Sequence, residues 1–110
     1  MIKATINHFK NHVSGFTITG HADAGEYGQD IVCSAVSVLS ITTVNGLQEV
    51  AGVDVDVDSD DENGGYLSIK VPVLNDSRKS LQSDAILSTF ENGMRDIADS
   101  YEKYIKLQVK

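Results

Sequence analysis

Residues 2 to 9 alternate, with Ile2, Ala4, Ile6 and His8 on one side and Lys3, Thr5, Asn7 and Phe9 on the other, the period-two pattern of a strand. After a turn at Asn11-His12, residues 13 to 20 include Phe16, Ile18 and several β-branched side chains, so a second strand is expected to pair with the first as a hairpin. Gly25 and Gly28 mark the stretch from Ala22 to Gln29 as a loop. Asp30 follows as an N-cap candidate. From Ile31 to about Ala51 the chain is rich in Val, Ile and Ser and propensity alone would tolerate a strand, but a run of this length without proline far exceeds one. Val32, Ala35, Val36 and Leu39 keep the spacing of a helix face, so a largely buried helix is expected, bent or frayed at Asn45-Gly46.

Val53 to Asp58 alternate strictly between Val and Asp, which predicts a strand with one buried and one solvated face. A polar turn from Ser59 to Gly65 leads to a partner strand, Tyr66 to Val71, closed by Pro72. Leu87, Phe90, Met94, Ile97, Tyr101 and Tyr104 recur at steps of three and four and place a second helix from near Ser77 to about Lys103. That stripe is most simply core, with part of it available to a dimer interface. Ile105, Leu107 and Val109 alternate with Lys106, Gln108 and Lys110 as a final strand. The order β-β-α-β-β-α-β predicts an α+β two-layer sandwich, two helices on a mainly antiparallel sheet. With 110 residues, a single domain spanning 1–110 is expected.

Charge narrows the partners. The net charge is −7, and no Lys or Arg lies between Lys10 and Lys70. Direct nucleic-acid binding needs a clustered basic face, which that stretch does not supply. A basic partner fits an acidic surface better. With one cysteine there is no internal disulfide, and the start of the chain alternates like a strand rather than a secretory signal. With no apolar run of membrane-spanning length recognised, a cytoplasmic protein is expected.

The single cysteine, Cys33, falls where the first helix should begin. The free N–H groups and dipole of a helix N-terminus favour a thiolate, and the N–H of Cys33 or Ser34 could hold an oxyanion. A lone cysteine is more commonly a buried structural residue. His21 shifts that balance, because it stands at a strand end just before the loop whose far end carries Cys33. His8 and His12 are weaker candidates, one within a strand pattern and one in its turn. Ser37 lies one helical turn beyond Cys33 on the same face, where it could line a site or simply permit close packing.

Gly20-His21-Ala22, Gly25, Gly28 and Asp30-Ile31-Val32-Cys33-Ser34-Ala35-Val36-Ser37 closely resemble the signature of the ribosomal-processing cysteine protease family, Prp, and length and element order resemble that family over essentially the whole chain. The resemblance implies a homodimeric bacterial endopeptidase that removes a short N-terminal extension from a protein of the large ribosomal subunit. On that basis Cys33 matches the nucleophile and His21 the general base of a dyad, with Asp30 and Ser37 at supporting motif positions. The family cleaves after an aromatic residue. No metal or other cofactor is implied. The glycine-containing loop from Ala22 to Gln29 is expected to act as a lid that closes over the peptide.

Other functions fit less well. A phosphate cradle usually recruits a cation, whereas this loop carries Asp23, Glu26 and Asp30. His21, Asp23, Asp30 and Cys33 do not have the spacing of a zinc site. An EF-hand started at Asp54 would place Ser59 where glycine is needed and Gly65 where the bidentate Glu is needed. The competing class is a non-enzymatic ribosome-associated or regulatory module that retains the motif.

Overall fold

In the computed structural model, residues 1–21, 29–62 and 64–110 are described. Five strands and two helices follow in the expected order: β1 (Ile2–Phe9), β2 (His12–Thr19), α1 (Gln29–Asn45), β3 (Asp56–Asp60), β4 (Tyr66–Lys70), α2 (Ser77–Ser100) and β5 (Ile105–Val109). The sheet order is β3-β4-β2-β1-β5, antiparallel throughout except for the β1–β5 pair.

Register explains how a thin chain makes a core. Ala4, Ile18 and Leu67 lie in one row across the sheet, and Ile6, Phe16 and Ile69 in another, so every second residue faces the same side. That side is buried together with Val32 and Val36 of α1 and Leu87, Phe90 and Met94 of α2. Phe16 stacks on Phe90 with ring centroids 4.1 Å apart, joining the two layers. The opposite face carries Lys3, Thr5, Thr17, Ser68 and Lys106 and stays polar.

The hairpin turn falls on Lys10-Asn11, at φ 52° and 65°, one residue earlier than the pattern indicated; His12 already belongs to β2. Two consecutive left-handed residues match the twist of a hairpin, and asparagine tolerates that conformation best among non-glycine residues. Asp76 caps α2, its carboxylate accepting from the N–H groups of Arg78 and Lys79 at 2.9 and 3.0 Å. The Lys79 N–H contributes most to holding the Asp76 carboxyl below its ordinary pKa, with desolvation opposing and Arg78 assisting. Of the stripe on the second helix, Leu87, Phe90 and Met94 are core; the helix stops at Ser100, and Tyr101 is exposed.

Three boundaries differ from the sequence pattern. Helix α1 begins at Gln29, so Asp30 lies inside its first turn and does not cap it. At Gly46 the helix does not end but widens into a π-helical turn, Gly46–Val50, which inserts Leu47 into the core. The acidic strand is Asp56–Asp60, not 53 to 58, and all its residues are exposed. Val53 and Val55 are buried ahead of it, where Val53 N–H bonds Leu47 O at 2.8 Å after the π-turn. Residues Gln29–Val50 would be long and apolar enough to cross a bilayer by length and composition, a feature missed in the pattern of apolar runs. Val32, Val36 and Leu47 are nevertheless fully buried in the sandwich.

Candidate active site

Cys33 reaches its place because α1 lies across the sheet with its first turn beside the end of β2. Its side chain is 8% exposed, packed at the edge of the core. The thiol points toward the carbonyl of Gly20, with Sγ 3.7 Å from that oxygen. One turn on, the Ser37 hydroxyl donates to the carbonyl of His21 at 3.5 Å. The helix thus grips two successive carbonyls at the strand end, a weak thiol contact and a long hydroxyl bond that hold the His21 backbone against the face carrying Cys33.

Gly20 permits the approach. Its φ is +82°, and a Cβ there would lie 2.6 Å from the Met1 carbonyl oxygen. Any other residue would strain the turn and push β1 away. Gly20 N–H also bonds Gly65 O at 3.2 Å, tying the β3–β4 turn to the same corner.

Burial pushes the His21 imidazole below its ordinary value of 6.5, and the negative charge of Asp61 partly restores it. Nδ1 of the ring is shut off from solvent and has no hydrogen-bond partner among the described residues. A ring held neutral has a lone pair with which to take a proton. A cysteine near the start of a helix that is bonded to the backbone of Gly20 and His21 brings a thiol and an imidazole to the same corner, the residue types of a nucleophile and a base.

Gly20, His21, Cys33 and Ser37, singled out from the sequence, therefore meet at one corner. Ser34 and Asp30 lie on the exposed side of the same first turns. Gly25, Gly28 and the rest of the expected lid fall outside the described residues, as does Asp23. Among the described residues no group of three His, Cys, Asp or Glu converges on a metal position. Asp61 was missed: within an acidic run it looked like solvated surface, and only folding brings its charge to bear on His21.

Comparison with known proteins bears on this geometry. Residues 1–106 match the family model described as Cysteine protease Prp. The chain belongs to the Prp family. It is a cysteine protease. Its relatives include the ribosomal processing cysteine protease Prp of Staphylococcus aureus strain Mu50, 32% identical over 109 residues, covering 99% of this chain and 97% of the relative. The Prp of Bacillus subtilis strain 168 is 34% identical over 106 residues, covering 91% of this chain and 93% of that one. A Streptococcus mutans crystal structure superposes with a TM-score of 0.90 at 32% identity, covering 99% of this chain and 93% of the other. The S. aureus Prp crystallised with a substrate peptide gives 0.85 at 28% identity over the whole of both chains. The same enzyme with a covalently linked product peptide gives 0.83 at 31%, again over both chains in full. Prp relatives thus share the fold end to end, and one of them is known to hold peptides.

Proposed function

We propose that this chain is a cytoplasmic endopeptidase, one domain over residues 1–110, that removes the N-terminal extension of a large-subunit ribosomal protein with a Cys33–His21 dyad. The observation that supports this most directly is the junction of α1 with the end of β2, where the Cys33 thiol lies 3.7 Å from the Gly20 carbonyl and Ser37 bonds the carbonyl of His21, whose imidazole pKa is lowered by burial. The substrate class is taken from relatives named for ribosomal processing and from the peptides held by S. aureus Prp.

Nε2 of His21 takes the Cys33 proton, and the thiolate attacks the scissile carbonyl. Because α1 starts at Gln29, the N–H groups of Cys33 and Ser34 are spent on the Gln29 and Asp30 carbonyls and do not hold the oxyanion as the sequence suggested; the positive end of the helix dipole favours the developing negative charge instead. His21 returns the proton to the leaving amine, and water, deprotonated by the same ring, hydrolyses the thioester to release the acyl product. Ser37 keeps His21 in place through the backbone, and Asp30 adds a negative charge to the first turn of α1, where the helix dipole favours it.

A second copy completes the assembly. Along α1 the exposed large side chains are Ile31, Val38 and Ile41, and no charged residue occurs from Ile31 to Asn45. For a chain of net charge −7, an uncharged helix face is where two copies can meet without like-charge repulsion. Sedimentation of Val38→Lys should show a monomer where the parent is a dimer.

The decisive assay is incubation with a peptide spanning the ribosomal extension, followed by mass analysis of the products. Cleavage that disappears in Cys33→Ala is the expected result. Undiminished cleavage by Cys33→Ala would end the dyad, and binding without cleavage by the parent would favour a non-enzymatic module.

A further inference from the structure

A neutral imidazole carries one N–H and one lone pair. If Nε2 of His21 takes the Cys33 proton, Nδ1 must hold the hydrogen, and that nitrogen is buried with no acceptor among the described residues. Once Nε2 is protonated the ring is also a cation, in surroundings that already disfavour charge. Both problems have the same remedy, a carboxylate on the Nδ1 side.

The β3–β4 turn is built to offer one. Gly20 N–H bonds Gly65 O at 3.2 Å, and Gly65 N–H bonds Glu62 O at 3.0 Å, so the turn is fastened to the residue preceding His21. The Asp60 carboxylate is already engaged, accepting the Glu62 N–H at 2.8 Å. Asp61 sits between these anchors with an exposed side chain, and its charge already reaches His21, where it favours the protonated ring. Asp30, the acidic residue of the motif, has no such effect on His21 among the described interactions.

We propose that Asp61 is the positioning carboxylate of His21: it accepts the Nδ1–H, fixes the productive tautomer and balances the imidazolium formed when Cys33 gives up its proton. The inference rests on the Cys33–His21 reading. It makes the site a three-member relay whose third member comes from a turn outside the signature. The other ionisable groups on elements adjoining His21 are the Met1 amino group and Lys3 on the β1 side, Asp30 and Cys33 on α1, Asp60 and Glu62 on the turn, and Tyr66 at the start of β4.

The test titrates His21 by NMR in the Cys33→Ala protein, which needs no turnover, and measures cleavage in the Cys33 protein. Asp61→Asn should lower the His21 midpoint by about half a pH unit or more. It should reduce kcat roughly tenfold to a hundredfold with KM little changed, and Asp61→Glu should recover part of the loss. Glu62→Gln should leave midpoint and rate as they are. A His21 midpoint indifferent to Asp61→Asn overturns the proposal, as does a midpoint that moves instead with Asp23→Asn or Glu26→Gln. Cleavage that survives His21→Ala would sink the dyad itself, whereas cleavage that needs His21 but ignores Asp61→Asn sinks only the assignment of Asp61.

Discussion

The two ends of the sheet treat histidine in opposite ways. At the hairpin end, His12 Nδ1 lies 2.9 and 2.8 Å from the two oxygens of Asp84, and His8 Nδ1 lies 3.2 Å from the Lys110 carbonyl. His8 Nε2 also lies 2.8 Å from Glu91 Oε1, an ion-pair contact although it is not aligned as a hydrogen bond. Glu91 in turn receives the Arg95 guanidinium at 3.1 Å. These rings line a cleft of about 340 Å³, yet His12 is engaged through Nδ1 with Asp84 of α2, and His8 through both nitrogens with Lys110 and with Glu91 of α2. At the other end His21 has a buried nitrogen with no hydrogen-bond partner among the described residues, and a depressed pKa. An engaged histidine fastens one element to another; His21 makes no such bond through Nδ1 among the described residues, and its other nitrogen remains able to take a proton.

Breaking that contrast at the His21 end should have the largest effect. His21→Ala is expected to lower kcat/KM by roughly 10²–10⁴-fold while leaving thermal unfolding close to the parent, as measured by peptide cleavage and circular dichroism. Next comes the support beneath both ends. Phe90→Ala removes half of the Phe16–Phe90 stack and should cost about 3–5 kcal/mol in denaturant unfolding.

At the hairpin end the expected effects are small. His12 and Asp84 side chains are 54% and 35% exposed, so His12→Ala or Asp84→Asn should cost under about 1 kcal/mol and leave kcat/KM unchanged. A loss of activity from either would erase the distinction between the ends. The smallest effect is the pH dependence carried by His21. Because its folded pKa lies below 6.5, the unfolded chain binds the proton more readily, and stability should fall as pH drops below that value until the folded ring is protonated too. Thermal midpoints between pH 7.5 and 5.5 should therefore fall less in His21→Gln than in the parent.

The strands and helices were legible because burial writes its period into the side chains. Ile2, Ala4 and Ile6, and again Leu87, Phe90 and Met94, carry it without interruption, and both sets are core. The 53 to 58 stretch misled for a specific reason. Alternation reports which residues face inward, not which backbone groups pair. Val53 and Val55 do face inward, but β4 pairs from Asp56 onward, leaving an exposed acidic edge. Asp30 was displaced by a shift of the helix start to Gln29, and Gly46, where a bend or fraying was expected, begins a π-turn.

By itself the sequence determined the element order, most of the buried faces and the residues from which the proposed site is built. All of these are local: periodicity, a thiol at a helix start, a histidine at a strand end. Tertiary structure decided the parallel placement of β5 beside β1 and the gripping of the Gly20 and His21 carbonyls by α1. It also decided the burial that keeps one histidine neutral and the approach of Asp61 from a turn forty residues away in the chain. Such properties depend on distance and dielectric between residues remote in sequence, and neither quantity exists until the sheet and helices have packed.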